Sequence, residues 1–369
     1  MSQKASFFDS EAVELFRKEQ KLEPYRLKQV YDAIFKQSII DFREVTTLSL
    51  ELREMLHERF TIVPLLVAKL VEDDETSKFL FETESGDIME SVLMYHFHSK
   101  EDGGEQELNR MTLCISSQVG CNVGCIFCVT GKMGLKKNLH RTEILGQVLY
   151  INNFIKKKLG KRDDGILHKV RNVVFMGMGE PMMNYPAVKQ TIAYLADTNY
   201  LGLSRKRITV STSGVLPPLL QFIDDGLPVS LAFSLHAPNQ ALREKLVPTI
   251  AKFYTLDKLM EAMDRYSRKT GNKVFYEYVM ILNENDTKEC AHQTGVLLKD
   301  RDAHLNLIPY NENPAIQLAE STPERIKKFK DIVESYGVTV TVRENRGRKA
   351  KSACGQLGYE KVLENLQKL

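Results

Sequence analysis

Three cysteines stand within eight residues, in the run Cys121-Asn-Val-Gly-Cys125-Ile-Phe-Cys128. Three thiolates on a glycine-containing loop can converge on one centre. A structural zinc ion wants four protein ligands in a closed tetrahedron, usually as two spaced pairs. No second pair follows here. Cys114, seven residues upstream, could in principle be a fourth ligand, but it falls inside an expected strand. Thiolates are also the usual holders of iron–sulfur clusters. A cubane held by three cysteines leaves one iron open to a chelating cofactor. A non-catalytic zinc-containing protein is the alternative to such a redox centre.

The chain must deliver this loop from a scaffold. From about residue 110, apolar strand-like runs alternate with amphipathic stretches: MTLCISS, NVVFMG, RITVST, VSLAFSL, KVFYEYVMI and HLNLIP, then a short seventh, VTVTVR. Ile144, Val148, Ile151 and Ile155 share one helical face. Thr322-Pro323-Glu324 reads as a cap, a proline at the first helical position and an acid in the first turn. Repeated alternation of this kind indicates an α/β fold with a parallel sheet, here a partial barrel of about six units. That is fewer than the eight of a complete (β/α)8 barrel. The cysteine loop follows the first of these strands, and Gly177-Met-Gly179-Glu180-Pro181 follows the second. Ser211, Ser234-Leu235-His236 and Asn311 fall at the C-terminal ends of later strands, the face where such folds place their sites.

Upstream, Leu27, Val30, Tyr31, Ile34 and Phe35 trace one helical face after Pro24, and Ser49 is an expected N-cap. LLVAKLVE, SKFLFETE and ESVLMYHF alternate apolar and polar residues, with Ser85-Gly86-Asp87 at a turn. The expected organisation is a helical accessory domain at 1–62, a β extension at 63–108, the partial barrel at 109–345 and a C-terminal segment at 346–369. The 369 residues are 43% hydrophobic and 27% charged, with a net charge of +3, which excludes a disordered or fibrous chain. No run approaches the roughly 18 apolar residues of a membrane span, and the N-terminus lacks a signal peptide's apolar block. A cytoplasmic location is expected. In that compartment six cysteines are ligands or reactive thiols rather than a disulfide framework. Basic runs occur at Lys156–Lys158, Arg205–Arg207 and Arg343–Lys351.

Six blocks now stand in order: ISSQVGCNVGCIFCVTGKMGLKKNL, FMGMGEPMMNY, RITVSTSGV, LAFSLHAPN, NLIPYN and ACGQL. Together they resemble the RlmN/Cfr family of radical S-adenosylmethionine (SAM) RNA adenosine methyltransferases, from about residue 20 to residue 357. The resemblance implies a [4Fe-4S] cluster on Cys121, Cys125 and Cys128, a radical-SAM barrel and two SAM molecules per turnover. It implies SAM contacts from Gly179, Glu180, Ser211, Ser234, Leu235, His236 and Asn311. Cys354 matches the family's methyl carrier, alkylated first on sulfur. A radical made from a second SAM then activates that methyl group, which adds to the adenine as a protein–RNA adduct. Cys114 matches the thiol that resolves the adduct through a transient disulfide, and Glu90 matches the proton acceptor.

The implied substrates are an adenosine in the peptidyl transferase centre of 23S rRNA and the adenosine next to the anticodon of tRNA. The basic runs and the helical domain would then hold the RNA. An electron donor such as flavodoxin or ferredoxin, a monomeric state and no membrane partner complete the expectation. Pro181 after Glu180, and Val119, match the branch that methylates adenine C2. The alternative is the C8 branch, which confers antibiotic resistance. One departure stands out: the acidic stretch usual before ACGQL is replaced by basic Arg346–Ser352.

Overall fold

A computed structural model describes residues 4–98, 107–343 and 355–358. The chain opens with β1 (Ala5–Ser6), which pairs in parallel with β2 (Phe60–Thr61) around helices α1 (Ser10–Glu19), α2 (Pro24–Gln37) and α3 (Leu50–Arg59). Local chemistry sets the helix starts. Asp9 Oδ1 accepts from the Glu11 amide at 3.1 Å, and Ser49 Oγ accepts from the Leu52 amide at 3.3 Å. Pro24 opens α2. Val30, Ile34 and Phe35 bury the face traced in the sequence. They join Phe7, Phe42 and Phe60 in an apolar cluster that also takes in Leu145 and Leu149. These helices therefore share their core with the barrel's first helix.

Four antiparallel strands follow: β3 (Leu65–Glu72), β4 (Thr76–Thr83), β5 (Ile88–His98) and β6 (Glu107–Cys114). A hairpin of β7 (Gln118–Cys121) and β8 (Gly134–Asn138) encloses the short α4 (Val129–Lys132) and carries the cysteine triad. Then come α5 (Arg141–Leu159), β9 (Asn172–Phe175), α6 (Tyr185–Ala196), β10 (Ile208–Thr212), α7 (Leu216–Asp225) and β11 (Ser230–Ser234). The series ends with α8 (Gln240–Leu246), α9 (Pro248–Phe253), α10 (Leu256–Thr270), β12 (Val274–Met280), α11 (Lys288–Leu298), β13 (Ala303–Pro309), α12 (Pro323–Glu334) and β14 (Thr339–Val342).

Ten strands form one sheet in the order β14-β13-β12-β11-β10-β9-β6-β5-β4-β3. From β6 to β14 neighbouring strands are parallel, each step crossing over a helical segment. Parallel strands need such crossovers, and the crossovers bring all their C-terminal ends to one rim. β6 belongs to both halves: it is parallel to β9 and antiparallel to β5. The β extension is thus continuous with the barrel sheet. Within the described residues β14 pairs with β13 and not with β6, so the barrel is partial.

Candidate functional site

The segment Ser116–Gln118 is the keystone of the rim. Ser116 Oγ donates to the Glu90 carbonyl at 2.6 Å and accepts the Met178 amide at 2.8 Å. Gln147, buried on α5, accepts from the Ser116 amide at 2.8 Å and donates to its carbonyl at 2.9 Å. Gln118 Oε1 accepts from the Glu180 amide at 2.8 Å. The loop after β9 is therefore pressed against the loop after β6. A Cβ on Gly177 would lie 2.6 Å from the Ile115 carbonyl oxygen, and one on Gly179 would lie 2.5 Å from Gln118 Cβ. Gly179 also has φ +99°, which disfavours any side chain. Close backbone approach between two loops gives these glycines a requirement of their own.

Cys121, Cys125 and Cys128 all line one cavity of about 180 Å³. Gly179, Glu180, Ser211, Ser234, His236 and Asn311 line the same cavity. Leu235 does not: it is fully buried in the core, and its amide donates to the Glu277 carbonyl at 3.0 Å. The thiols are free, and all three residues are half-buried. Burial pushes Cys121 up to about 12, with the Cys128 sulfur adding to the shift. Cys125 is raised well above the ordinary thiol value by burial and by both other sulfurs. Buried sulfurs that discourage one another's ionisation become thiolates when a metal centre supplies the positive charge. Among the described residues no three His, Cys, Asp or Glu side chains are gathered on one metal-ion position. A cubane gripped at three corners does not ask its ligands to converge on a single ion, so the donor set fits that group.

Glu180 is buried, and burial raises its carboxyl above the usual range. Its Oε2 accepts from the Ser213 amide and the Ser213 hydroxyl, both at 2.7 Å, and Oε1 accepts from the Met182 amide at 3.0 Å. His236 sits in the left-handed region at φ +57°. Strain of that kind in a non-glycine residue collects at functional sites. Its Nδ1 accepts from the Val279 amide at 3.1 Å, so the proton resides on Nε2. Burial, helped by the Arg243 charge, lowers its basicity to about 3, and the ring is a neutral donor. The Phe127 ring of the cysteine loop meets it edge-on at 4.9 Å.

Three residues here escaped the sequence reading. Ser213 supplies two of the Glu180 hydrogen bonds. Arg243, fully buried, donates to the carbonyls of Ser213, Ser234 and Leu235 and so ties the ends of β10 and β11 together. Glu277 lines the cavity from β12. It takes Asn306 Nδ2 at 2.9 Å and Arg343 Nη2 at 3.5 Å on one oxygen, and its Oε2 has no hydrogen-bond partner among the described residues. A lone acid in an otherwise apolar strand was the available signal for Glu277.

A second, wider cavity of about 570 Å³ adjoins the first, sharing Cys128, Met176, Gly177, Asn311, Arg343 and Gly355. Cys114, buried at the end of β6, lines it. Glu90 is on the wall of neither cavity. It is buried on β5, with Lys78 Nζ at 3.5 Å from Oε2 and the Gly358 amide at 3.0 Å from Oε1. Cys354 lies outside the described residues; its neighbour Gly355 lines both cavities.

The sequence model of the Radical SAM superfamily matches residues 115–292. A protein of Dictyoglomus thermophilum named "Probable dual-specificity RNA methyltransferase RlmN" is 40% identical over 333 residues, 90% of each chain. The protein of the same name from Thermotoga maritima is 38% identical over 92% of this chain and 93% of its own. The crystal structure of a radical SAM methyltransferase from Sphaerobacter thermophilus superposes with a TM-score of 0.86 at 36% identity, covering 96% of this chain and 99% of that one.

Proposed function

The chain belongs to the RlmN family of radical SAM RNA methyltransferases, and on that footing we propose that it methylates C2 of adenosine in both 23S rRNA and tRNA. The dual specificity in the relatives' names supports two RNA classes. Pro181 and Val119 favour C2 over the C8 alternative. The observation that carries the mechanism is the shared wall of the two cavities. The triad lines one, Cys114 lines the other, and Gly355, next to Cys354, lines both.

Cys121, Cys125 and Cys128 hold the [4Fe-4S] cluster. Gly179, Glu180, Ser211, Ser234, His236 and Asn311 would surround SAM, with Leu235 set in the core between Ser234 and His236. When bound, cluster and SAM supply the methyl group and the one-electron chemistry that side-chain acids and bases lack. Glu180 receives an ammonium group with a carboxylate already oriented by Ser213 and Met182. His236 offers Nε2–H without carrying charge. The Cys354 sulfur carries the methyl group to the adenine, which is why two SAM molecules are consumed per product. Glu90 accepts the C2 proton; the Cys114 thiolate then attacks the Cys354 sulfur, forming a transient Cys114–Cys354 disulfide and breaking the bond from that sulfur to the adenine's new methylene carbon, which leaves with the electron pair and takes up a proton to become the methyl group of the product.

An external donor of the flavodoxin or ferredoxin class supplies electrons, and the enzyme acts as a cytoplasmic monomer. No helix of the described residues is long and apolar enough to cross a membrane. The test is Cys354→Ala in anaerobically reconstituted enzyme, with digested rRNA and tRNA read by mass spectrometry. Loss of 2-methyladenosine is expected. Undiminished transfer discards the carrier role, and 8-methyladenosine as the sole product moves the chain to the C8 branch.

A further inference from the structure

The wide cavity has a polarity that the chemistry at the cysteines does not require. Its wall carries Arg110, Lys206, Arg207 and Arg343 and no Asp or Glu. Arg343 is spoken for by Glu277, whereas Arg110, Lys206 and Arg207 have no carboxylate partner among the described residues. Uncompensated cations on an ordinary surface are merely solvated. Arg207 is held differently, beside the exposed Arg110 and Lys206. Arg207 Nη1 donates to Asn172 Oδ1 at 2.9 Å, Asn172 Nδ2 donates to Thr112 Oγ1 at 3.3 Å, and Thr112 Oγ1 meets His96 Nε2 at 3.0 Å. The ladder crosses four adjacent positions of the sheet, from the residue before β10 through β9 and β6 to β5. It fixes one guanidinium nitrogen and leaves the others for a ligand. Asn172 begins β9 and Arg207 immediately precedes β10, so the cations gather at the strand starts, opposite the rim that bears the cysteines.

We propose that this cavity is a phosphodiester subsite, in which Arg110, Lys206 and Arg207 grip the RNA backbone flanking the target nucleotide while its base reaches toward Cys114 and the triad. The inference rests on the RNA methyltransferase reading and extends it to a place and a set of residues. The chemistry is that of any single strand held for base extrusion. Clustered cations with no internal counter-charge attract phosphates, and an adenosine must leave its stack before a pocket can reach its carbons.

The experiment uses full-length, cluster-loaded protein and a fluorescein-labelled RNA hairpin with an adenosine in its loop. Binding is followed by fluorescence anisotropy over a range of KCl concentrations. The combined variant Arg110→Gln/Lys206→Gln/Arg207→Gln should bind at least about ten-fold more weakly. Its slope of log K against log salt should be shallower by about 2, since each single-strand phosphate contact contributes roughly 0.7. Iron content and SAM binding should match the wild type. Lys327→Gln/Lys328→Gln/Lys330→Gln, an equal charge change on α12, should leave both affinity and slope unaltered. A cavity variant that binds with wild-type affinity and slope overturns the subsite while leaving the methyltransferase reading intact. Equal losses in the two variants overturn it as well, by showing bulk charge at work. Wild-type protein that binds no RNA removes the broader reading, and the subsite with it.

Discussion

The amide of Val129 donates to the carbonyl of Gly355 at 2.9 Å. Val129 directly follows the third cysteine of the triad, and Gly355 directly follows Cys354. The cysteine loop and the C-terminal segment are therefore joined backbone to backbone. Three more bonds fasten the segment. Thr130 Oγ1 donates to the Leu357 carbonyl at 2.8 Å, Gln356 Nε2 to the Glu312 carbonyl at 3.2 Å, and the Gly358 amide to Glu90 Oε1 at 3.0 Å. Gly358 has φ +87°, and a Cβ there would strike Met133 Sδ at 2.2 Å. The residues after Cys354 are seated on α4, which follows Cys128 directly.

Thr130→Val tests that seat. Valine keeps the shape and removes the donor, which leaves a buried carbonyl on Leu357 unpaired at a cost of about 1–3 kcal/mol. Most of the cost should fall on the segment rather than on the barrel. Hydrogen exchange read by mass spectrometry should show faster exchange in peptides spanning 355–358 and unchanged exchange in β12 and β13. Uniformly faster exchange would assign Thr130 to global stability instead.

Lys78 and Glu90 form a buried pair on adjacent strands, each only a few per cent exposed. Removing one member of a buried ion pair typically costs about 3–5 kcal/mol. Lys78→Met should lower the urea midpoint accordingly. Lys78→Met/Glu90→Gln should recover part of the loss, because the remaining amide carries no charge. If the single variant is as stable as wild type, the carboxylate does not depend on that ammonium.

His236 gives a pH signature. An unfolded histidine titrates near 6.5, whereas the buried ring stays neutral down to about 3. Between those values the unfolded chain binds a proton that the folded chain refuses, so folding weakens as pH falls. The contribution is complete above about pH 6.5 and fades toward pH 3, at up to about 1.4 kcal/mol per pH unit. Nitrogen NMR of histidine-labelled protein should show one ring fixed as the Nε2–H tautomer from pH 8 to pH 5. His236→Asn, which tolerates a positive φ, should abolish that signal. Titration of every ring near pH 6.5 would contradict the buried, amide-bound geometry.

The cysteine triad and the parallel strands were legible because their signals are local. Spacing alone marks three thiols on one loop, and runs such as VSLAFSL and KVFYEYVMI can hardly be anything but buried strands. Strand ends brought Ser211, Ser234, His236 and Asn311 to the lining of one cavity. Leu235, between two of them, turns its side chain into the core, since alternate residues of a strand end face opposite ways. Arg243 was invisible: in Gln-Ala-Leu-Arg-Glu-Lys-Leu it reads as an ordinary helix surface, and only the packed structure buries it under the carbonyls of two strands. Lys78 was hidden for the same reason, as its partner lies on the next strand.

Gly120 carries the sharpest prediction about the cysteine loop. It sits at φ +75° in β7, one residue before Cys121, and a Cβ there would lie 1.8 Å from the Gly134 carbonyl oxygen. No rotamer relieves a clash between a Cβ and a backbone oxygen. Gly120→Ala must therefore pry β7 from β8, the hairpin that encloses all three cysteines, while the ten-strand sheet rests on other contacts. The variant should keep its far-ultraviolet circular dichroism yet bind well under half the wild-type iron and sulfide after anaerobic reconstitution. Gly134→Ala is the matched control on the partner strand: its added Cβ meets no atom within 4 Å, although φ +67° adds a modest strain. Iron retention should fall in the order wild type, Gly134→Ala, Gly120→Ala. Full iron loading in Gly120→Ala would mean that the hairpin does not set the spacing of the thiols.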